Sequence, residues 1–139
     1  MNSRTESGDL DALMAEARDA RQRAYAPYSK FFVGAAVRTD AGVFRGCNVE
    51  NASYSQTICA ERVAAATAVA AGARTIEAIA VATSAPSPTP PCGACRQFLH
   101  EFNPDMMVIS ERKGGERKQW RLSELLPDAF GPEDLEGAP

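Results

Sequence analysis

Apolar residues at Leu10, Leu13, Met14 and Ala17 recur at the three-and-four spacing of one helix face. Asp9 or Asp11 stands where a cap belongs, and Ala26-Pro27-Tyr28-Ser29 ends the helix near Tyr25. Residues 1–8 read as a loose tail. From Phe31 to Thr39 aromatic and β-branched residues predict a strand, Asp40-Ala41-Gly42 a turn, and Val43 to Val49 the returning strand of a hairpin. The alanine-rich run Ile58 to Ala71 predicts a helix with Gly72 at its stop. Thr75 to Thr83 has the apolar run of a buried strand, and the four prolines between Ser84 and Pro91 force a loop. Gly93 to Phe102 predicts a helix stopped by Asn103-Pro104. Met106 to Ser110 and Arg117 to Leu122 predict two more strands, joined by a loop around Gly114-Gly115. Ser123 is placed to cap a last helical turn, and residues 133–139 read as a second tail. Strands alternating with helices in this order predict a three-layer α/β/α arrangement, with a central mixed five-stranded sheet in a single domain spanning residues 1–139.

Composition agrees with one globular core. The chain has 139 residues, 45% hydrophobic and 24% charged. Fifteen basic against eighteen acidic residues leave a net charge of −3, which argues against a general nucleic-acid or membrane-surface binder. The N-terminal stretch carries charge throughout, and the longest low-polarity run, Val63 to Ala73, is too short to span a bilayer, so a cytoplasmic protein is expected. In a reducing compartment the four cysteines, Cys47, Cys59, Cys92 and Cys95, point to metal or thiol chemistry rather than to disulfides.

Two motifs carry the chemistry. Cys59-Ala60-Glu61 opens the alanine-rich helix, and Pro91-Cys92-Gly93-Ala94-Cys95 opens the next. Cys92 and Cys95 are three apart, so in a first helical turn they share a face. Helix N-termini offer free N–H groups and partial positive charge, both of which favour thiolates. Three thiolates suit one Zn²⁺ and leave a fourth position open, where a water is activated. Glu61 is the candidate catalytic residue: two residues from a ligand, its carboxylate can take that water's proton and deliver it to a leaving group. Three thiolates and Zn²⁺ sum to −1, and Arg62, on the same helix face as Cys59, can offset that charge through the sulfurs.

A lone C-x-x-C is a weak signal, but C-A-E followed by P-C-x-x-C matches the pattern of zinc deaminases, in which the Glu is not a ligand. From about Ala26 to Leu135 the chain resembles the small cytidine deaminases. The likeness is carried by Tyr28-Ser29-Lys30-Phe31, Gly46-Cys47-Asn48-Val49-Glu50-Asn51-Ala52-Ser53-Tyr54, Ile58-Cys59-Ala60-Glu61-Arg62, Pro91-Cys92-Gly93-Ala94-Cys95-Arg96-Gln97 and Leu125-Leu126-Pro127-Asp128-Ala129-Phe130. The resemblance implies hydrolysis of cytidine and 2′-deoxycytidine to the uridine forms with release of ammonia, as in pyrimidine salvage. It implies that Phe31 stacks on the pyrimidine, that Asn48 and Glu50 bond the ribose hydroxyls, and that Ala60 and Glu61 read the base edge. It further implies a homotetramer with shared active sites. In that assembly Ala52 and Tyr54 approach a neighbour's substrate and Phe130 closes another subunit's pocket. Phe32 stands where the family commonly has proline, and Ser55-Gln56 where it commonly has glycine then leucine.

Two other readings compete. One is a deaminase of a cytosine-bearing antibiotic, of the blasticidin type, or of a cytosine in nucleic acid. Arg62 directly after Glu61 and the Leu-Leu-Pro…Ala-Phe segment speak against the antibiotic, and the acidic balance against nucleic acid. The other is a structural zinc module in which Cys47 is a fourth ligand, leaving Glu61 without a role. Cys47 as a small buried apolar residue is the plainer alternative. His100 reads as a packed or surface residue, and Glu111 to Arg121 as a solvated hairpin tip.

Overall fold

The computed structural model describes residues 3–136. Helix α1 (Ser3–Arg21) leads into a hairpin, β1 (Val33–Thr39) and β2 (Gly42–Cys47). Then come α2 (Ala60–Ala70), β3 (Ile76–Thr83), α3 (Gly93–His100), β4 (Met107–Glu111), β5 (Arg117–Arg121) and the single turn α4 (Leu122–Leu125). Short 3-10 turns lie at Tyr54–Gln56 and Pro132–Asp134. The sheet order is β2-β1-β3-β4-β5, with β3 and β4 parallel and the other neighbours antiparallel. This is the mixed five-stranded sheet the alternation predicts.

The central strand β3 is buried on both faces, and its period of two divides its side chains between two cores. Ala78, Ala80 and Ala82 meet Leu13, Met14 and Ala17 of α1. Ile79 and Val81 join Ala64, Ala65 and Ala68 of α2 and Leu99 of α3 on the opposite face. Small residues let each helix lie close to the sheet. A Cβ on Gly34 would come 2.8 Å from the Arg21 Cα in α1, and one on Gly46 would come 2.8 Å from the Ala60 carbonyl oxygen in α2. Both approaches are closer than packed carbon permits.

Charge closes the rim of the α1 face. Arg18 donates two 2.7 Å bonds to the Glu111 carboxylate at the end of β4, and Arg117 of β5 donates a third at 2.9 Å. Arg117 also pairs with Asp11.

The structure departs from the sequence reading at element ends. Helix α1 begins at Ser3, so it takes in most of the stretch read as a tail, and neither Asp9 nor Asp11 is its cap. Residues 1 and 2 lie outside the described residues. The helix ends at Arg21, and Tyr25 instead pairs its backbone with that of Asn48 and Glu50. β1 begins at Val33 rather than Phe31, because side chains take the backbone bonds that a ladder would supply there. Helix α2 starts at Ala60 and α3 stops at His100. Ser123 is inside α4; its N-cap is Arg121, whose backbone N–H donates to the Glu124 carboxylate at 2.9 Å. At the other end the 3-10 turn reaches Asp134, and residues 137–139 lie outside the described residues.

Candidate active site

Three thiols converge where α2 and α3 begin. Cys59 is the N-cap of α2 and Cys92 the N-cap of α3, both with extended backbone, and Cys95 is the third residue of α3. Neither cap thiol bonds its own helix end, so the sulfurs are left to face one another. Cys59 and Cys92 sulfurs are 3.9 Å apart, those of Cys92 and Cys95 3.5 Å, and all three lie within 4.8 Å of one another. Two thiolates on one tetrahedral zinc, at a Zn–S length of about 2.3 Å, are about 3.8 Å apart, so the donor set and its spacing fit zinc. Among the described residues this is the one cluster with metal-ligand spacing, and Cys47 is not in it. Cys47 is half-buried beside Ala20, Arg23, Arg45 and Val63, where burial pushes its thiol up. That removes the four-cysteine reading.

The site's electrostatics follow from this crowding. The Cys59 thiol is lowered to about 5, first by the hydrogen bond from Cys95, with Arg62 and Cys92 adding to it. The same bond raises Cys95, which keeps the proton. A soft divalent cation at this point displaces that proton. Arg62 supplies the compensating charge: one Nη lies 4.0 Å from the Cys59 sulfur and 3.3 Å from the Thr57 carbonyl oxygen to which it donates. Its Nε–H is buried without a hydrogen-bond partner.

Glu61 sits at the start of α2 with 6% exposure. Burial raises its carboxyl to about 7, while its own backbone N–H and Arg62 pull the other way. Its side chain opens onto a cavity of about 190 Å³ that also takes in Cys59, Cys92 and Ala60. Phe31 and Asn48 line the same cavity. Asn48, 8% exposed, uses its amide oxygen to accept the Val33 N–H at 2.9 Å and its amide nitrogen to donate to the Phe31 carbonyl at 2.8 Å. One amide N–H and one lone pair remain.

The other candidate residues stand apart from this cavity. Glu50 lies in an adjoining hollow with Tyr28, Ser29 and Tyr54, and Thr57 borders both spaces. Ala52 is exposed in the loop before the 3-10 turn, Tyr54 is 75% exposed, and Phe130 is 57% exposed. Arg96, half-buried, and Gln97, exposed, tie α3 to neighbouring backbone. Arg96 donates to the Pro91 carbonyl at 2.7 Å and the Leu125 carbonyl at 2.8 Å, and Gln97 to the Phe130 carbonyl at 2.9 Å. His100 lies at the C-terminal end of α3, outside the thiol cluster.

Sequence reasoning missed one wall. Val81 and Thr83 at the end of β3, with Thr89 and Pro90 of the proline-rich loop, also line the cavity. The available signal was their place: the crevice beyond the carboxyl ends of parallel strands is where open α/β sheets hold ligands.

Comparison with known proteins accords with this geometry. A family model described as the cytidine and deoxycytidylate deaminase zinc-binding region matches residues 7–111. A cytidine deaminase of Sporosarcina psychrophila is 46% identical over 129 residues, covering 91% of this chain and 95% of that protein. One from Halalkalibacterium halodurans is 48% identical, covering 91% and 98%. The crystal structure of cytidine deaminase from Burkholderia pseudomallei superposes with a TM-score of 0.83 at 49% identity, over 86% of this chain and 98% of that one. With these likenesses over a thiol cluster spaced for zinc, the chain belongs to the zinc-binding cytidine and deoxycytidylate deaminase family.

Proposed function

We propose that this chain is a zinc-dependent cytidine deaminase that hydrolyses cytidine and 2′-deoxycytidine to uridine and 2′-deoxyuridine, releasing ammonia. The observation that carries the reading is the opening of Glu61, Cys59 and Cys92 onto one cavity that Phe31 and Asn48 also line. Cys59, Cys92 and Cys95 would hold the metal, which when bound supplies Lewis acidity that lets a water part with a proton near neutral pH.

The remaining work belongs to the chain's own side chains. Glu61 accepts the water's proton on its carboxylate and passes it to the pyrimidine N3 as the oxygen adds to C4; it then takes the proton of that new C4 hydroxyl and delivers it to the amine, whose C–N bond breaks to release ammonia. Burial keeps bulk water from competing for those transfers. The Phe31 ring gives a flat base a π-face. The spare amide N–H of Asn48 and the remaining lone-pair capacity of Glu50 suit ribose hydroxyls. Backbone N–H groups around Ala60 read the base edge. Arg62 neutralises the excess thiolate charge and so keeps the site from holding the water's proton too tightly.

The chain would work as a single-domain subunit of a homotetramer in the cytoplasm, where reducing conditions keep the three thiols free. Support for the assembly comes from Tyr54 and Phe130, large side chains that are exposed on this subunit and are not among those lining its own cavity. In that assembly Ala52 and Tyr54 approach a neighbour's substrate and Phe130 caps another pocket; sedimentation should give a tetramer. Among the described residues no helix is long and apolar enough to cross a membrane.

The test is direct. Purified protein is mixed with cytidine, the ultraviolet change to uridine is followed, and zinc is assayed in the same sample. Turnover with about one zinc per chain supports the proposal. Zinc without turnover of cytidine or deoxycytidine overturns it.

A further inference from the structure

Phe31 forms part of the cavity wall from a segment that belongs to no strand. Its peptide groups are fixed by side chains instead. The Asn48 amide holds its carbonyl at 2.8 Å, and the Ser29 hydroxyl oxygen accepts its N–H at 3.0 Å. Ser29 is in turn held by Glu50. One carboxylate oxygen accepts the backbone N–H groups of Tyr28 at 3.0 Å and Ser29 at 3.1 Å, and the other accepts the Ser29 hydroxyl. Between Ser29 and Phe31, Lys30 is bent into the left-handed region with φ of 60°. A lysine adopts that conformation only where its surroundings over-determine it. Here the determining bonds are those on either side.

We propose that Ser29 is a positioning residue that links the Glu50 carboxylate to Phe31, so that the sugar side and the base side of the pocket are set as one unit. This rests on the reading that Glu50 and Phe31 meet the nucleoside. The chemistry needs a hydroxyl. Ser29 Oγ donates to Glu50 and accepts from Phe31 at once, which neither an ammonium nor an alkyl group can do. Because Ser29 is exposed, water can satisfy both groups once the hydroxyl is removed, so the fold survives and the loss falls on the placement of Phe31.

The experiment compares zinc-loaded wild type, Ser29→Ala and Ser29→Thr in steady-state turnover of cytidine, with backbone amide exchange by NMR on the same samples. Ser29→Ala should raise KM about five- to tenfold while kcat stays within about twofold, the size and pattern of a lost uniform binding contribution. Ser29→Thr, which keeps the hydroxyl, should restore KM. The Phe31 amide should exchange at least about tenfold faster in Ser29→Ala than in wild type. Glu50→Gln should also raise KM less in the Ser29→Ala background than alone, because the two act through one unit. An unchanged Phe31 exchange rate in Ser29→Ala overturns the positioning role, whatever the substrate. Equal deficits in Ser29→Ala and Ser29→Thr overturn it as well. Failure of wild type to turn over cytidine would instead sink the proposed function, and the exchange measurement separates the two.

Discussion

The two faces of the sheet are packed alike and used differently. On one, α1 lays Leu13, Met14 and Ala17 over the alanines of β3 and seals the rim with Arg18, Arg117 and Glu111. On the other, α2 and α3 pack Ala64, Ala68 and Leu99 over Ile79 and Val81, yet their first residues carry three thiols and a buried carboxyl. Helix interiors on both faces spend their backbone groups on themselves and contribute burial. The starts of α2 and α3 have unspent N–H groups, and there the sequence puts its chemistry. Stability and reactivity are therefore separable by face.

Removing a metal ligand should give the largest effect. Cys92→Ala should lose zinc and lower turnover by at least about a thousandfold, the scale of metal-assisted water activation, as elemental analysis and the cytidine assay would show. Zinc retained at one per chain would mean that the cluster is not the metal site.

The next pair sets one face against the other. Gly34→Val and Gly46→Val both insert side chains where a Cβ alone meets backbone at 2.8 Å, and each should cost at least about 3 kcal/mol in denaturant unfolding. The Gly46 change pushes on Ala60 and Ala64 of α2, and so should also weaken zinc binding, read by competition with a chelator. The Gly34 change pushes on Ala17 and Arg21 of α1 and should leave zinc affinity of the folded fraction unchanged. Equal loss of affinity in both would contradict the separation of faces.

A smaller effect belongs to the α1 rim. The hydrogen bond from Arg18, with Arg117 adding to it, holds the Glu111 carboxyl below its ordinary 4.5. A carboxyl depressed in the folded state contributes stability that is whole above the ordinary value and lost as pH falls through the folded one. Glu111→Gln should cost about 1–2 kcal/mol at pH 7, discounted for the half-exposed Arg18, and the gap to wild type should close in acid. Its turnover per folded chain should match wild type. Smallest of all, Cys47→Ser should keep full zinc and activity, with a stability change below about 1 kcal/mol.

Legibility in the sequence followed the same division. The apolar run of β3 and the alanines of α2 announced their elements, since burial on both sides or close helix packing leaves few other residue types possible. The two thiol motifs announced the site because ligand spacing on a first helical turn is a local property. What depended on distant partners was hidden. Phe31 reads as strand by propensity, but the Asn48 amide and Ser29 hydroxyl claim its backbone. The wall made by Thr83, Thr89 and Pro90 exists only once β3 and β4 lie side by side, with Ser110 accepting the Thr89 N–H at 3.1 Å. The tie from the Glu50 carboxylate to the loop at Tyr28 and Ser29 was hidden in the same way, since the two segments are some twenty residues apart in the chain.

The most direct test of the account is Glu61→Gln, which keeps size and shape while removing the group proposed to move protons. Zinc per chain, melting temperature and cytidine turnover should be measured on one preparation. The account predicts about one zinc, an unshifted or slightly raised melting temperature as a buried carboxyl is replaced, and turnover reduced by about a hundred- to ten-thousandfold. Turnover within tenfold of wild type, with zinc in place, would contradict it.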